Sequence, residues 1–237
     1  MERYGARIVE APSELDVEKD VKSHWIELGA KGLFSQTIVI TLLGIGVGLV
    51  LFGFNLWIPT NLVKLGFAEV NADRLLRDAA SIGFPFTLVA ALMYGFWSSK
   101  KTVVLLTALT AAAMLVFAVS GDSVVTNRLL LYVLLVMPIW GINTVTALLT
   151  VYSSEIYPTH VRSHGSGLAA GASKAGGVLI IGLVAFGIAA PSIATTTLIG
   201  GIPMALAAIG ILLFGLETRN RRLEEITAEE FKGAPAT

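Results

Sequence analysis

Six apolar runs, each near the roughly 20 residues that a helix needs to cross a bilayer, constrain this chain more than any other feature. They cover about Ser35 to Trp57, Asp78 to Trp97, Thr102 to Ser120, Leu129 to Tyr152, Gly165 to Ala189 and Ser192 to Leu216. The first is expected to bend at Pro59 and continue towards Leu65, and Pro85 and Pro138 lie inside the second and fourth. Such prolines are tolerated in a membrane because neighbouring helices satisfy the freed carbonyls. The runs are too long for barrel strands and do not alternate as those do. Composition agrees: 54% of residues are hydrophobic and 14% charged, against about 25% charged in soluble domains. The mean hydropathy is +0.75. A chain this apolar has too little polar surface to cover a water-soluble globule. The sequence therefore specifies an all-α membrane protein of six transmembrane helices.

The polar segments set the domain organisation. Residues 1–34 form a mixed-charge segment without the basic start and apolar core of a signal peptide. Ser13 with Asp16 just after Pro12 predicts a helix start. Val17, Val21, Trp25 and Leu28 then fall near one face, as in an amphipathic helix lying on the membrane surface. Residues 35–216 are the six-span unit, and 217–237 are a polar tail. Lysine and arginine concentrate in the termini and in the loops that an even span count places beside them, which predicts cytoplasmic termini in a plasma (inner) membrane. Net charge is zero, from 17 basic and 17 acidic residues, so nothing points to nucleic acid. Cysteine is absent, so there is no thiolate metal site or disulfide framework, and no cofactor is implied.

Between the fourth and fifth runs lies a polar joint, Tyr152-Ser153-Ser154-Glu155-Ile156-Tyr157-Pro158-Thr159-His160-Val161-Arg162-Ser163-His164-Gly165-Ser166-Gly167. Pro158 enforces a turn, across which Glu155 and Arg162 are expected to pair. The ordered pattern aromatic–Ser–Glu–x–Tyr–Pro–Thr–x–x–Arg–x–x–Gly–x–Gly resembles the joint between the fourth and fifth helices in the C-terminal half of major facilitator superfamily transporters. It is closest to the sugar-porter and metabolite–proton symporter branches. Lys174-Ala175-Gly176-Gly177 and Glu217-Thr218-Arg219 also resemble stretches of that family, although Leu216 stands where the family has a proline. The resemblance covers about Phe34 to Glu225. It implies half of a twelve-helix fold, built as 3+3 inverted repeats.

Two polar stripes are candidates for a substrate path. Asn55, Trp57 and Asn61 lie on the first span, and Trp140, Asn143 and Thr146 on the fourth, with Thr144 and Thr150 at neighbouring spacings. Amides have no comfortable place facing lipid, so Asn55 and Asn143 should point to other helices or to a watery cavity. The alternative is helix-to-helix bonding, with the threonines bonding their own preceding carbonyls. The resemblance favours the path, since these two spans line the central cavity in that superfamily. Lys174 is the intramembrane charge of the chain, and a lysine at that depth costs about 2.5–3.5 kcal/mol on insertion scales. Either its stem reaches the boundary or it joins a cytoplasmic gate with Glu155 or Glu217, a reading favoured over a proton-relay or substrate role. Lys100 and Lys101 occupy a turn in which Ser98 and Ser99 replace the family's acidic residue, and they too are placed to meet Glu155. Glu155, Arg162, Lys174, Lys100, Lys101 and Glu217 thus form the expected gate. Glycine pairs at Gly44 and Gly48, and at Gly167 and Gly171, predict close helix approach.

Enzyme readings fail on the residues. His160 and His164 are four apart but Val161 stands where a zinc protease has its glutamate. Gly171-Ala172-Ser173 has no later histidine to serve as a base. By resemblance, the function is transport of a small organic solute (an organic acid or sugar-like metabolite), coupled to protons, by alternating access. Such a half is expected to work with a missing N-terminal half or a second copy. Its alternative is a membrane scaffold that transports nothing.

Overall fold

The computed structural model describes residues 25–29, 33–64, 66, 69–120, 127–186 and 192–219. The amphipathic helix expected from Ser13 and the tail beyond Arg219 lie outside them, apart from a short 3-10 turn at Trp25–Gly29. Helix α1 (Phe34–Leu49) passes through a π-helical turn (Val50–Phe54) into α2 (Asn55–Lys64), which contains Pro59. The other helices are α3 (Glu69–Phe96), α4 (Ser99–Ser120), α5 (Arg128–Glu155), α6 (Arg162–Ala185) and α7 (Ile193–Phe214). Among the described residues, six spans are long and apolar enough to cross a membrane, with α1, the π turn and α2 together forming the first.

Where the polar residues fall decides the helix ends. Asn127 and Ser192 start α5 and α7 by accepting from the backbone N–H of Leu130 and Thr195, each at 3.2 Å. Helix α3 begins at Glu69, nine residues before the apolar run that predicts it at Asp78. Its first turns are polar, so hydropathy alone reads them as loop. Arg77 and Asp78 there form the one ion pair between described residues, 3.7 Å apart and largely exposed.

The helices pack as two interleaved triplets. The first span contacts α6 and α7, while α5 contacts α3 and α4, and α4 packs along α7. Exchanging the first span with α5, α3 with α6 and α4 with α7 leaves these principal contacts unchanged. That is the signature of a 3+3 repeat, and the packing carries it although the sequence shows no strong internal repeat. Leu43, Val47, Met114, Phe117, Ile142, Val145, Met204 and Ile211 fill the centre and are fully or almost fully buried.

Small residues set the closest seam, between α1 and α6. A methyl added at Gly44 would lie 2.8 Å from Ala172 Cβ, and one added at Gly48 would collide with the Ser173 carbonyl and the Gly176 backbone. The first glycine pair therefore acts as expected. The second pair does not: Gly171 has nothing within 4 Å of its missing side chain, and Gly167 meets only the edge of Trp25. The α6 face that packs is the one bearing Ala172 and Gly176.

Candidate functional site

Two regions lie towards the end of the bundle that holds the α3–α4 turn, the α5–α6 joint and the segment after α7. The first is a cluster of hydroxyls around two carboxylates. Ser98 caps α4 by accepting from the Lys101 N–H at 3.0 Å, and it donates its own proton to Glu217. Glu217 also accepts from the backbone N–H of Ser99 at 3.0 Å, the Ser99 hydroxyl at 2.5 Å and the Arg219 N–H at 3.2 Å. Its carboxylate thus closes the N-terminus of α4, where free N–H groups and the helix dipole favour an anion. Burial disfavours the charged form, but the donors from Ser98, Ser99 and Arg219 outweigh it and hold the Glu217 carboxyl down to about 2.

Glu155 ends α5 and accepts from Tyr94 at 2.6 Å and from Thr218 at 2.5 Å. The Thr218 hydroxyl also lies 2.7 Å from Ser99 Oγ. It has one proton, so it serves one of these two acceptors at a time. Nearby, Tyr152 donates to the Leu216 carbonyl at 2.8 Å, and Arg219 to that of Trp97 at 2.9 Å. The ends of α3 and α5, the start of α4 and the segment after α7 are tied through these contacts.

This arrangement differs from the charge network read from the sequence. Glu155 and Arg162 form no ion pair, and the Arg162 Nε is buried without a partner. Lys101 turns instead to the Trp97 ring, 5.9 Å from its centroid. Lys100 and Lys174 reach neither carboxylate, because no ion pair joins them to Glu155 or Glu217. Tyr94, Ser98, Ser99 and Thr218 were not among the predicted site residues. The available signal was Ser98-Ser99 directly before a helix, a capping pattern whose partner is the acid after α7.

The second region is a cavity of about 220 Å³ beside this cluster. Thr146, Leu149, Thr150 and Ser153 on α5 line one wall, and Ser166, Ala169, Ala170, Ser173 and Lys174 on α6 line the other. Each set follows the three- and four-residue spacing of one helix face. Leu51 and Phe52, from the π turn, form the apolar back wall.

Thr146, with Asn143 and Thr150 above and below it, follows the self-bonding alternative. These three donate to the carbonyls of Ile142, Ile139 and Thr146, at 2.6, 2.7 and 3.1 Å. Asn143 and Thr150 are nevertheless on the exposed strip of α5. Trp140 is half-buried, its ring 5.6 Å from that of Phe86 and its Nε1 buried without a partner. Asn55 Oδ1 is likewise buried and unpartnered. Trp57 and Asn61 are buried in the packing around α2 and do not line the cavity. Of the predicted path and gate residues, the cavity therefore brings together Thr146 and Lys174.

A bundle of six membrane spans, with exchange-symmetric triplets and a cavity against its first, fourth and fifth spans, is half of a major facilitator fold in an integral membrane protein. Residues 78–229 match the sugar (and other) transporter family, and the chain belongs to it. It is 28% identical over 209 residues to the inner membrane metabolite transport protein YdjE of Escherichia coli (strain K12), covering 86% of this chain and 44% of that protein. It is 25% identical over 210 residues to the putative niacin/nicotinamide transporter NiaP of Bacillus subtilis (strain 168), covering 87% of this chain and 50% of that one. The chain thus spans about half the length of the curated relatives it matches.

Proposed function

We propose that this chain supplies one half of a transporter that moves a small organic solute across a membrane by alternating access. The carrying observation is the cavity between α5 and α6, lined by hydroxyls and Lys174 in a bundle whose family is one of transporters. A bilayer does not tolerate an exposed face bearing Asn143, Thr150 and Lys174. That face needs water, substrate or a partner. The complementary surface is a second six-helix half, whether another polypeptide segment or a second copy. Helices α3 and α6 support this, since they are the least buried of the spans.

Within this reading, Thr146 and Lys174 belong to the solute path, with Asn143 and Trp140 on the same open strip. The hydroxyl cluster around Glu155 and Glu217 closes the adjoining end, which is cytoplasmic by the distribution of lysine and arginine. Proton coupling is part of the proposal. The names of the relatives, a metabolite transporter and a niacin/nicotinamide transporter, are in keeping with a small organic solute. The test is uptake of labelled metabolites into proteoliposomes containing this chain, alone and with a candidate first half, with and without a pH gradient. Uptake that requires the chain supports the reading. Absence of uptake under every pairing overturns it in favour of a non-transporting scaffold.

A further inference from the structure

We propose that the cavity beside Lys174 is a carboxylate subsite, so that the solute is a small organic monocarboxylate with an apolar body. This rests on the transport reading above and narrows it to a substrate class.

The argument begins with which protons are free. On the α5 wall, Thr146 and Thr150 spend their hydroxyl protons on carbonyls of their own helix, and Ser153 donates to the Thr150 carbonyl at 3.1 Å. That wall offers lone pairs. On the α6 wall the donors are unspent. Ser166 Oγ is buried with no hydrogen-bond partner, and Ser173 bonds no other described residue. Lys174 is exposed to the cavity and forms no ion pair with a described carboxylate. Ser166, Ser173 and Lys174 stand at i, i+7 and i+8, on one face of α6.

Depth sharpens the point. Lys174 lies twelve residues after Arg162, the first residue of α6, or ~18 Å along the helix axis. A cation held so far inside a span, with neither Glu155 nor Glu217 turned towards it, lacks its counter-ion. Glu155 and Glu217, at the end of the bundle, are saturated by hydroxyl and backbone donors. A carboxylate entering the cavity would supply the missing charge and would accept from Lys174, whose side chain leans towards the helix N-terminus, and from Ser166. Leu51, Phe52 and Leu149 face the remainder of the space. They suit an apolar body, and about 220 Å³ limits its size. A neutral sugar fits less well, because its many hydroxyls would meet this apolar wall unsatisfied.

The test uses matched acids and amides of equal shape: benzoate with benzamide, lactate with lactamide, and butyrate with butyramide. Binding to the purified chain in detergent is measured by calorimetry. At least one acid should bind about tenfold or more tightly than its amide, as a hydrogen-bonded charge pair implies. Lys174→Gln should abolish that preference, and Lys174→Arg should keep it. Ser166→Ala should reduce it by roughly threefold. No acid preferred in any pair, or a preference that survives Lys174→Gln, overturns the proposal. Should Lys174→Gln fail to fold, Ser166→Ala decides, and an undiminished preference there overturns it equally. Uptake of the same labelled compounds and of glucose, measured in parallel, separates the two levels. Glucose uptake without acid preference sinks the carboxylate subsite and leaves transport. Acid-selective binding without uptake under any pairing with a first half leaves the subsite and sinks transport.

Discussion

The hydroxyl cluster and the Lys174 cavity share an end of the bundle but treat charge in opposite ways. Among the described residues, Glu155 and Glu217 accept only from hydroxyls and backbone N–H groups, and no lysine or arginine side chain pairs with either carboxylate. Around Lys174 a cation faces open space with unspent donors beside it. A saturated cluster holds helices together and has nothing left to offer a ligand. An unsaturated one contributes little to stability and is available for recognition. Charge in this chain therefore marks function where it is left over, not where it is dense.

Four perturbations break or sharpen that contrast, and the largest acts on both regions at once. Gly48→Leu drives a side chain into the Ser173 carbonyl and the Gly176 backbone. It should cost more than about 3 kcal/mol, since backbone cannot give way as a side chain does. The expected result is loss of a monodisperse species in gel filtration, with cavity and cluster lost together. Next, Tyr94→Phe combined with Thr218→Val leaves Glu155 without either donor. Stability should fall by ~2–3 kcal/mol in thermal unfolding, while solute binding at the cavity changes far less. Equal losses in both would erase the distinction.

A smaller effect follows from pH. The Glu217 carboxyl is lowered from 4.5 to about 2 in the folded chain. Its contribution is therefore fully present above pH 4.5 and is lost as pH falls from there through 2. After discounting for partial solvent screening it should amount to about 1–2 kcal/mol. Melting temperature should drop across that window, and Glu217→Gln should flatten the drop. The smallest effect is a deliberate near-zero. Because Glu155 and Arg162 form no ion pair, a double-mutant cycle between Glu155→Gln and Arg162→Ala should show coupling below ~0.5 kcal/mol. A coupling above 1.5 kcal/mol would restore the pairing that the sequence spacing suggests.

The six spans were readable because length and apolarity are one-dimensional properties that a bilayer imposes directly. The start of α3 was not, because Glu69 to Arg77 looks like loop until it is seen to continue a helix. Glu155 and Glu217 were legible as network residues from the joint and from the stretch after α7. Their partners were not: Tyr94 sits in an apolar run and meets a residue 61 positions away, and Ser99 one 118 positions away. Opposite charges near a turn invited a Glu155–Arg162 bridge, but hydroxyls satisfied the acid first. Of the first-span candidates, Trp57 and Asn61 share a face as their spacing says, yet that face is turned into the packing.

The reason lies in the π turn at Val50–Phe54. Such a turn accommodates one residue more than the α-helix around it, so the two parts of the first span are out of phase by about 100°. The turn itself meets the cavity, through Leu51 and Phe52, and the outer part carries Trp57 and Asn61 into the packing around α2. Were this turn to relax into regular α-helix, the outer part would rotate as a screw does, carrying Asn55 and its unpartnered oxygen round the axis. A single-residue deletion at Leu51 would instead remove the extra residue and hold the outer part where it stands. The first span is in this sense two helices set at different clock positions on one shaft.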